Sequence, residues 1–314
     1  MDSKKRRYWY SIFTGRDYSG GMPRPHAPLA LAVFLLTLLP GTGSAKEFSG
    51  VGAFAATRRA VDLGPRPDGS AAIAKLREMI TAELKTRGCE VISDRFTAQT
   101  PDGAIAMENI IAKFPGKSGR AIAITGHYDT KKMANFVGAN DGGSSTGFLL
   151  ELAATLQGRP RTDDIYIVFF DGEEAIRDWT ETDSLYGSRH LAEKWTKDGT
   201  GGRLKALINI DMIGDRNLKL MYDGYSAPSV RDLIWNDAAA LGYAKEFPRA
   251  NQTVEDDHIP FLKAGVRAVD LIDFESQSTF WHTPQDTMDK LSPRSFEVVG
   301  AVVLKAIGDL ELQK

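Results

Sequence analysis

The stretch DIYIVFFDGEE, residues 164–174, is a run of apolar residues that ends in charged ones. Its apolar part is short and rich in β-branched and aromatic residues, which predicts a strand buried inside a sheet. The run stops at two adjacent carboxylates, Glu173 and Glu174. Two like charges at close range are unfavourable unless a positive group lies beside them or one carboxyl stays protonated. The end of this strand therefore needs a cation or a retained proton.

Strand-like and helix-like stretches alternate along the rest of the chain. Three more short apolar runs predict strands, at residues 121–129, 204–214 and 267–274. Five segments with helical spacing predict helices, at residues 70–88, 145–158, 183–195, 227–242 and 292–312. Asp183 is expected to be the N-cap of the third of these helices. The alternation predicts an α/β fold with a mostly parallel central β-sheet and helices on both faces.

Residues 1–45 have the pattern of a signal peptide. Basic residues precede an apolar run of about a dozen residues within 27–45, and small residues follow it up to Ala45. The apolar run is short for a membrane span, and a membrane anchor is the alternative interpretation. Met22 is an alternative start. We expect an exported protein, periplasmic or extracellular, without stable membrane association after cleavage, whose residues 46–314 form one catalytic domain.

Composition excludes several classes of protein. The 314 residues include 39 Lys and Arg and 41 Asp and Glu, so the net charge of −2 provides no basic surface for nucleic acid. A hydrophobic content of 42% is ordinary for a globular domain. Cys89 is the single cysteine, which excludes an intrachain disulfide, and we expect it to be a buried structural thiol.

Polar side chains follow the predicted strands, at the edge where open α/β sheets bind ligands. They are His127, Asp141, Glu173, Glu174, Asp211 and His282. Each has a simpler explanation by itself, since Asp141 could cap a helix and the glutamates could be solvated. Together, imidazoles and carboxylates on one rim predict a divalent metal, especially zinc. A metal would explain the adjacent glutamates, with one as a ligand and the other as a general base or acid.

Five segments resemble, in the same order, the motifs of the exported zinc aminopeptidases and of the secreted glutaminyl cyclases that share their fold. They are GHYDT (126–130), GANDGGSSTG (138–147), FFDGEE (169–174), NIDMIG (209–214) and WHTPQDTMDKL (281–291). The resemblance covers about residues 105–310. It implies that the partners are peptide or protein N-termini, and it leaves the oligomeric state open.

The two branches imply different metal sites. The aminopeptidases imply two zinc ions held by five ligands, His127, Asp141, Glu174, Asp211 and His282, with Glu173 as the base that activates a water molecule. The cyclases imply one zinc ion held by Asp141, Glu174 and His282. In that branch Glu173 moves a proton, and Asp211 hydrogen-bonds to another aspartate.

Two further segments favour the cyclases. DSLYGSRHLA (183–192) and EDDHIPFLKAG (255–265) are close to cyclase sequences, and the second implies that Asp256 binds the substrate. Trp179 and Trp281 imply an aromatic slot that suits a flat amide side chain. Asp270 is a departure, because animal cyclases carry a histidine at this position, and it puts the inner hydrogen-bond network in doubt.

The interpretation that follows is a zinc-dependent glutaminyl-peptide cyclotransferase. It would convert the N-terminal glutamine of peptides to pyroglutamate with release of ammonia, using one zinc ion. The first alternative is a two-zinc exported aminopeptidase that removes N-terminal residues. The second is a metal-bearing peptide-binding module without catalysis.

Overall fold

The computed structural model describes residues 46–274 and 279–313, so the predicted signal peptide lies outside the described residues. Eight α-helices are described, α1 Gly50–Val61, α2 Ala71–Leu84, α3 Gly143–Leu156, α4 Tyr186–Lys197, α5 Thr200–Arg203, α6 Pro228–Ala240, α7 His258–Lys263 and α8 Pro293–Leu312, together with a short 3-10 helix, Met288–Lys290. Eight strands are described, β1 Glu90–Thr100, β2 Gly103–Phe114, β3 Ala121–His127, β4 Asp164–Phe170, β5 Leu204–Asp211, β6 Tyr222–Asp223, β7 Asn251–Gln252 and β8 Ala268–Ile272. Within this part of the chain, no helix has both the length and the apolar character needed to cross a membrane.

Six strands form the central sheet in the order β1-β2-β4-β3-β5-β8. The four strands β4, β3, β5 and β8 are parallel, which confirms the predicted α/β class. β1 and β2 form an antiparallel hairpin that adds to β4, and the sequence analysis did not predict it. Because the four parallel strands end at the same edge, the polar residues that follow them meet there.

Helices cover both faces of the sheet, as predicted. Along β4, Ile165, Ile167 and Phe169 pack into a core with α1, α2, α3, α6 and α8. The alternate residues Tyr166 and Val168 pack into a second core with α4 and α7. Every residue of β4 is buried because successive side chains point to opposite faces and each face is covered by helices.

The predicted N-cap of α4 is wrong. The helix begins at Tyr186, and its N-cap is Leu185 in a left-handed conformation with φ of 53°. Asp183 is buried, and its carboxylate accepts hydrogen bonds from the backbone N–H groups of residues 176–178 at 2.8–3.0 Å. These bonds compete with capping, because a carboxylate held by three N–H donors has little capacity left for a helix terminus. Asp183 instead closes the loop that carries Trp179.

Candidate active site

A cavity of about 430 Å³ lies at the carboxyl edge of the parallel strands. Eight of the nine residues predicted for the site line it: Asp141, Glu173, Glu174, Trp179, Asp211, Asp256, Trp281 and His282. The ninth, His127, is buried behind the cavity wall, within 4 Å of three of the lining carboxylates. The fold thus brings together residues that are up to 155 positions apart in the sequence, from His127 to His282.

The first possible metal site consists of Asp141, Glu174 and His282. His282 Nε2 lies 3.1 Å from Glu174 Oε1 and 3.3 Å from Asp141 Oδ2. That aspartate oxygen is buried and forms no hydrogen bond. Ligand atoms in a tetrahedral zinc site with bonds of about 2.0–2.1 Å are separated by about 3.3 Å. Three such ligands beside a cavity fit a catalytic zinc ion, which needs a fourth position for substrate.

A second group of possible ligands consists of His127, Asp141 and Asp211, all buried. His127 Nε2 lies 3.1 Å from Asp211 Oδ1 and 3.2 Å from Asp141 Oδ1, so the two groups share Asp141. Burial opposes protonation of His127, but the Asp211 and Glu173 carboxylates outweigh it and hold its pKa well above the usual value. A protonated His127 can therefore compensate these carboxylates without a second cation.

The side chains of the adjacent glutamates diverge. Glu174 faces His282, and its other oxygen lies 3.4 Å from Lys131 Nζ. Glu173 faces His127, with its Oε2 3.9 Å from the ring nitrogen Nδ1. Burial raises the pKa of Glu173 well above the usual value, and the charge of Glu174 raises it further, whereas His127 opposes the rise. The like charges at the end of β4 are thus separated and placed beside cationic or metal-binding partners.

The turn that carries both glutamates depends on Asp129 and Gly172. The Asp129 carboxylate accepts the backbone N–H groups of Glu173 and Glu174, each at 3.2 Å. Gly172 has φ of 66°, and a Cβ atom there would lie 2.6 Å from the sulfur of Met107. Only glycine suits this position, because L side chains disfavour a left-handed backbone and the space is already filled.

The loop before α3 presents Asp141 to the site. The alternative that Asp141 caps α3 is wrong, because Gly142 is the N-cap and no side chain caps this helix. The buried carboxylate of Asp286 accepts the backbone N–H groups of Asn140 at 2.8 Å and Asp141 at 3.0 Å. Burial, followed by the charge of Asp141, raises the pKa of Asp286 to about 7.

Arg66 supports the same loop from the other side. Its buried guanidinium donates hydrogen bonds to the carbonyl oxygens of Gly64 at 2.9 Å, Val137 at 2.8 Å and Gly138 at 3.1 Å. Burial lowers its pKa to about 10, although nearby aspartates, Asp286 first among them, oppose the change. Arg66 therefore ties the end of α1 to the segment that leads to the first ligand group.

Asn209 organises the inner wall of the cavity. Its amide nitrogen donates to Asp256 Oδ2 at 3.0 Å and to Asp270 Oδ1 at 3.2 Å, and its oxygen accepts from the Thr125 hydroxyl at 2.8 Å. Asp211 Oδ1 lies 3.1 Å from His127 Nε2, and the hydrogen bond from Asp211 to another aspartate that the resemblance implies stays a prediction. The amide thus holds Asp256 at the cavity.

Aromatic side chains form the outer wall. Trp179 and Trp281 are 40% and 38% exposed, which is unusual for large apolar side chains. Trp281 stacks on His282 with ring centroids 3.9 Å apart and an interplanar angle of 23°. His282 has φ of 51°, a left-handed conformation that costs about 1–2 kcal/mol for a residue with a Cβ atom. Such strain is concentrated at functional sites, where the surroundings hold it in place.

Four supporting residues escaped the sequence analysis as site residues: Asp129, Asp286, Arg66 and Asn209. Three of them lie within the quoted motifs, Asp129 in GHYDT, Asn209 in NIDMIG and Asp286 in WHTPQDTMDKL. Their polar character inside apolar or loop segments was the available signal. Arg66 lies outside every motif, and no local pattern distinguishes it from a surface arginine.

The profile of peptidase family M28 matches residues 109–307, which is more than half of the chain. The chain belongs to peptidase family M28. The matched segment contains all three residues of the first ligand group. The sequence resemblance to the zinc aminopeptidase superfamily is therefore confirmed.

Relatives of this M28 family member include a glutaminyl-peptide cyclotransferase of Drosophila melanogaster, 32% identical over 259 residues that cover 73% of each chain. The crystal structure of a glutaminyl cyclase from an Acidobacteriales bacterium is similar, with a TM-score of 0.81 and 39% identity over 87% of this chain and 98% of that one. The glutaminyl cyclase of Porphyromonas gingivalis superposes with a TM-score of 0.77 and 30% identity, over 83% of this chain and 98% of that one.

Proposed function

We propose that this chain is a zinc-dependent glutaminyl-peptide cyclotransferase that acts on the N-terminal glutamine of peptides. The observation that carries the proposal is that one cavity is lined by the possible zinc ligands Asp141, Glu174 and His282, by Glu173 and by two exposed tryptophans. The names of the relatives support the same activity. In this reaction the α-amine nitrogen bonds to Cδ, the side-chain amide carbon of the same glutamine. The bond from that carbon to the amide nitrogen breaks, and ammonia leaves.

Asp141, Glu174 and His282 would hold one zinc ion. Zinc bound there supplies Lewis acidity that polarises an amide carbonyl. The buried Asp141 oxygen that forms no hydrogen bond, and the separations of 3.1 and 3.3 Å around His282 Nε2, support this ligand set. We propose a count of one, because an imidazolium at His127, whose Nε2 lies 3.1 Å from Asp211 Oδ1, would compensate the remaining carboxylates without a second zinc ion.

Glu173 moves the proton. Its carboxylate accepts a proton from the attacking α-amine and returns it to the departing amide nitrogen, so no net proton is gained or lost by the protein. A group that performs both tasks needs a pKa between those of its two partners. Burial and neighbouring carboxylates raise the pKa of Glu173 in that direction.

Asp256 and the tryptophans position the substrate. In this proposal the Asp256 carboxylate, which accepts a hydrogen bond from Asn209 at 3.0 Å, binds the α-amino group. Trp179 and Trp281 provide flat apolar walls for the glutamine side chain. Because the attack is intramolecular, holding the amine close to the amide carbon supplies much of the rate enhancement.

A two-zinc aminopeptidase is the second candidate. The observation that favours it is the buried group of His127, Asp141 and Asp211, which shares Asp141 with the first group, as a bridging ligand requires. A metal-bearing module without catalysis is a third reading, but it gives no role to Glu173.

We also propose that residues 1–45 are a signal peptide and that the mature protein acts outside the cytoplasm. The support is the basic and apolar pattern of that segment. Sequencing the N-terminus of the exported protein should find it near Lys46. Recovery of a soluble cytoplasmic product that still begins at Met1 would contradict export.

Activity assays on the purified protein separate the three candidates. Ammonia release from Gln-peptides, with no amino acid released, is the result expected. Faster release of leucine from Leu-peptides than of ammonia from Gln-peptides would favour the aminopeptidase. Neither product, in a protein that retains zinc, would favour the binding module.

A further inference from the structure

A second and larger depression, of about 810 Å³, adjoins the catalytic cavity. One face of α4 forms one side, through Arg189, Ala192, Glu193, Thr196 and Lys197, which recur at helical spacing. Ile259, Pro260 and Lys263 from α7 form the other side. We call this depression the α4–α7 groove.

The α4–α7 groove is continuous with the catalytic cavity, because Trp179 and Glu255 line both. A chain that leaves the cavity past these two residues enters the groove. Its apolar lining includes Tyr225, which is 48% exposed. Among the described residues, the four exposed large aromatic side chains are Trp179, Tyr225, Phe274 and Trp281, and all four line the cavity or the groove. Exposed apolar surface concentrated in one place marks a binding site.

The cationic side chains that line the groove have partners within the protein. Lys197 pairs with Glu193, and Lys263 lies 3.8 Å from Glu181. Arg189 donates to the carbonyl oxygen of Ser184 at 2.8 Å. These cations are thus engaged by groups of the protein itself.

Glu255 differs from them. Its exposed side chain forms no hydrogen bond or ion pair within residues 46–274 and 279–313. It stands at the boundary between cavity and groove, where the second or third residue of a peptide would pass if its first residue occupied the cavity. A carboxylate at that point favours a cationic side chain and disfavours an acidic one.

We propose that the α4–α7 groove binds the residues that follow the N-terminal glutamine of the substrate, and that Glu255 selects peptides with a basic residue near the N-terminus. This inference rests on the proposed function. It assigns the substrate class as peptides of several residues, extended along the groove, in preference to dipeptides.

The test compares kcat/KM for ammonia release from three peptides, Gln-Gly, Gln-Lys-Gly-Gly-Phe and Gln-Glu-Gly-Gly-Phe. The lysine peptide should exceed Gln-Gly by roughly tenfold, since contacts with exposed aromatic side chains contribute on this scale. It should exceed the glutamate peptide by about three- to fivefold, as expected for one exposed charge interaction. The second ratio should fall as salt is added.

Two variants test which residues of the groove cause these kcat/KM ratios. Glu255→Gln should reduce the preference for lysine over glutamate to less than twofold. Tyr225→Ala should reduce the advantage of the lysine peptide over Gln-Gly, by about fivefold. Glu90→Gln removes an exposed carboxylate on β1, away from the groove, and should change neither ratio.

The outcomes separate this proposal from the one on which it rests. Release of ammonia from all three peptides with equal kcat/KM would contradict the proposed role of the groove, but it would leave the proposed cyclase activity standing. Equal values together with a concentration-dependent dimer in sedimentation would assign the groove to a second copy of the chain, and would also overturn the proposal. No ammonia from any peptide would overturn both.

Discussion

His127 Nε2 lies 3.2 Å from Asp141 Oδ1, while the other oxygen of the same aspartate lies 3.3 Å from His282 Nε2. Asp141 is thus placed between two imidazoles, and the number of metal ions depends on what lies on its His127 side. Either an imidazolium at His127 or a second zinc ion would compensate the negative charge of Asp211. The two possibilities differ in how many metal ions are bound.

Replacing His127 tests that count. In a one-zinc enzyme, His127→Ala should retain about one zinc per chain, because three protein ligands remain. It should destabilise the fold by about 1–3 kcal/mol, since buried carboxylates lose their partner. Metal analysis after purification without added zinc measures the first quantity, and urea unfolding the second. His190→Ala is the control, a histidine paired with Asp94 away from the site. A fall from two zinc ions to one would establish the two-metal site.

Glu173→Gln should separate catalysis from metal binding. The amide preserves the shape of the side chain but cannot take up the proton of the α-amine, so turnover should fall by about 10²–10⁴. Zinc content should be unchanged, because the proposed ligands are intact. Glu78→Gln, at an exposed glutamate on α2, serves as the control. Turnover within a few-fold of the unchanged protein would exclude Glu173 as the proton carrier.

Asn209→Leu should displace Asp256. Leucine has the same branching as asparagine, although it is larger, and it donates no hydrogen bond, so Asp256 and Asp270 would both lose the donor that links them. We expect a loss of about 1–3 kcal/mol in the free energy of unfolding and a rise in KM for Gln-peptides that exceeds the fall in kcat. Combining it with Asp270→Leu should recover part of the stability, because the buried carboxylate of Asp270 is then no longer left without its donor, while Asp256 and Thr125 still lack their Asn209 partner. Additive losses in the double variant would contradict a direct link.

Arg66→Met should weaken zinc binding from a distance. The carbonyl oxygens of Gly64, Val137 and Gly138 would lose their buried donor, at a cost of about 3–5 kcal/mol in stability. The loop that presents Asp141 should then be less ordered, so competition with a chelator should remove zinc more readily. Arg267→Met, at an exposed arginine before β8, provides the comparison. Unchanged zinc retention in a destabilised variant would limit Arg66 to a structural role.

The sequence patterns predicted the buried parallel strands well, but they did not predict the edge strand β1 or the start of α4. The fully buried strands β3, β4 and β5 are short apolar runs, and each was predicted near its observed bounds. The edge strand β1 has a mixed sequence, EVISDRFTAQT, with most side chains exposed or half-buried, so neither a continuous apolar run nor a clean alternation marks it. Asp183 shows a different limit. Asp183 is a good capping residue, but it lies two residues before the observed N-cap Leu185, and its carboxylate accepts the loop N–H groups of residues 176–178 instead.

The sequence by itself determined the class of fold, because burial of parallel strands on both faces requires apolar runs that can be read locally. It also determined which residue types stand at the carboxyl edge, and the motif order that indicates the superfamily. Only the tertiary structure decided which of these residues touch. The contact between His127 and Asp211 spans 84 positions, and the hydrogen bond from Asn209 to Asp256 spans 47. Such contacts depend on strand order, on the turn at Gly172 and on supports such as Arg66, and no periodicity in the chain encodes them.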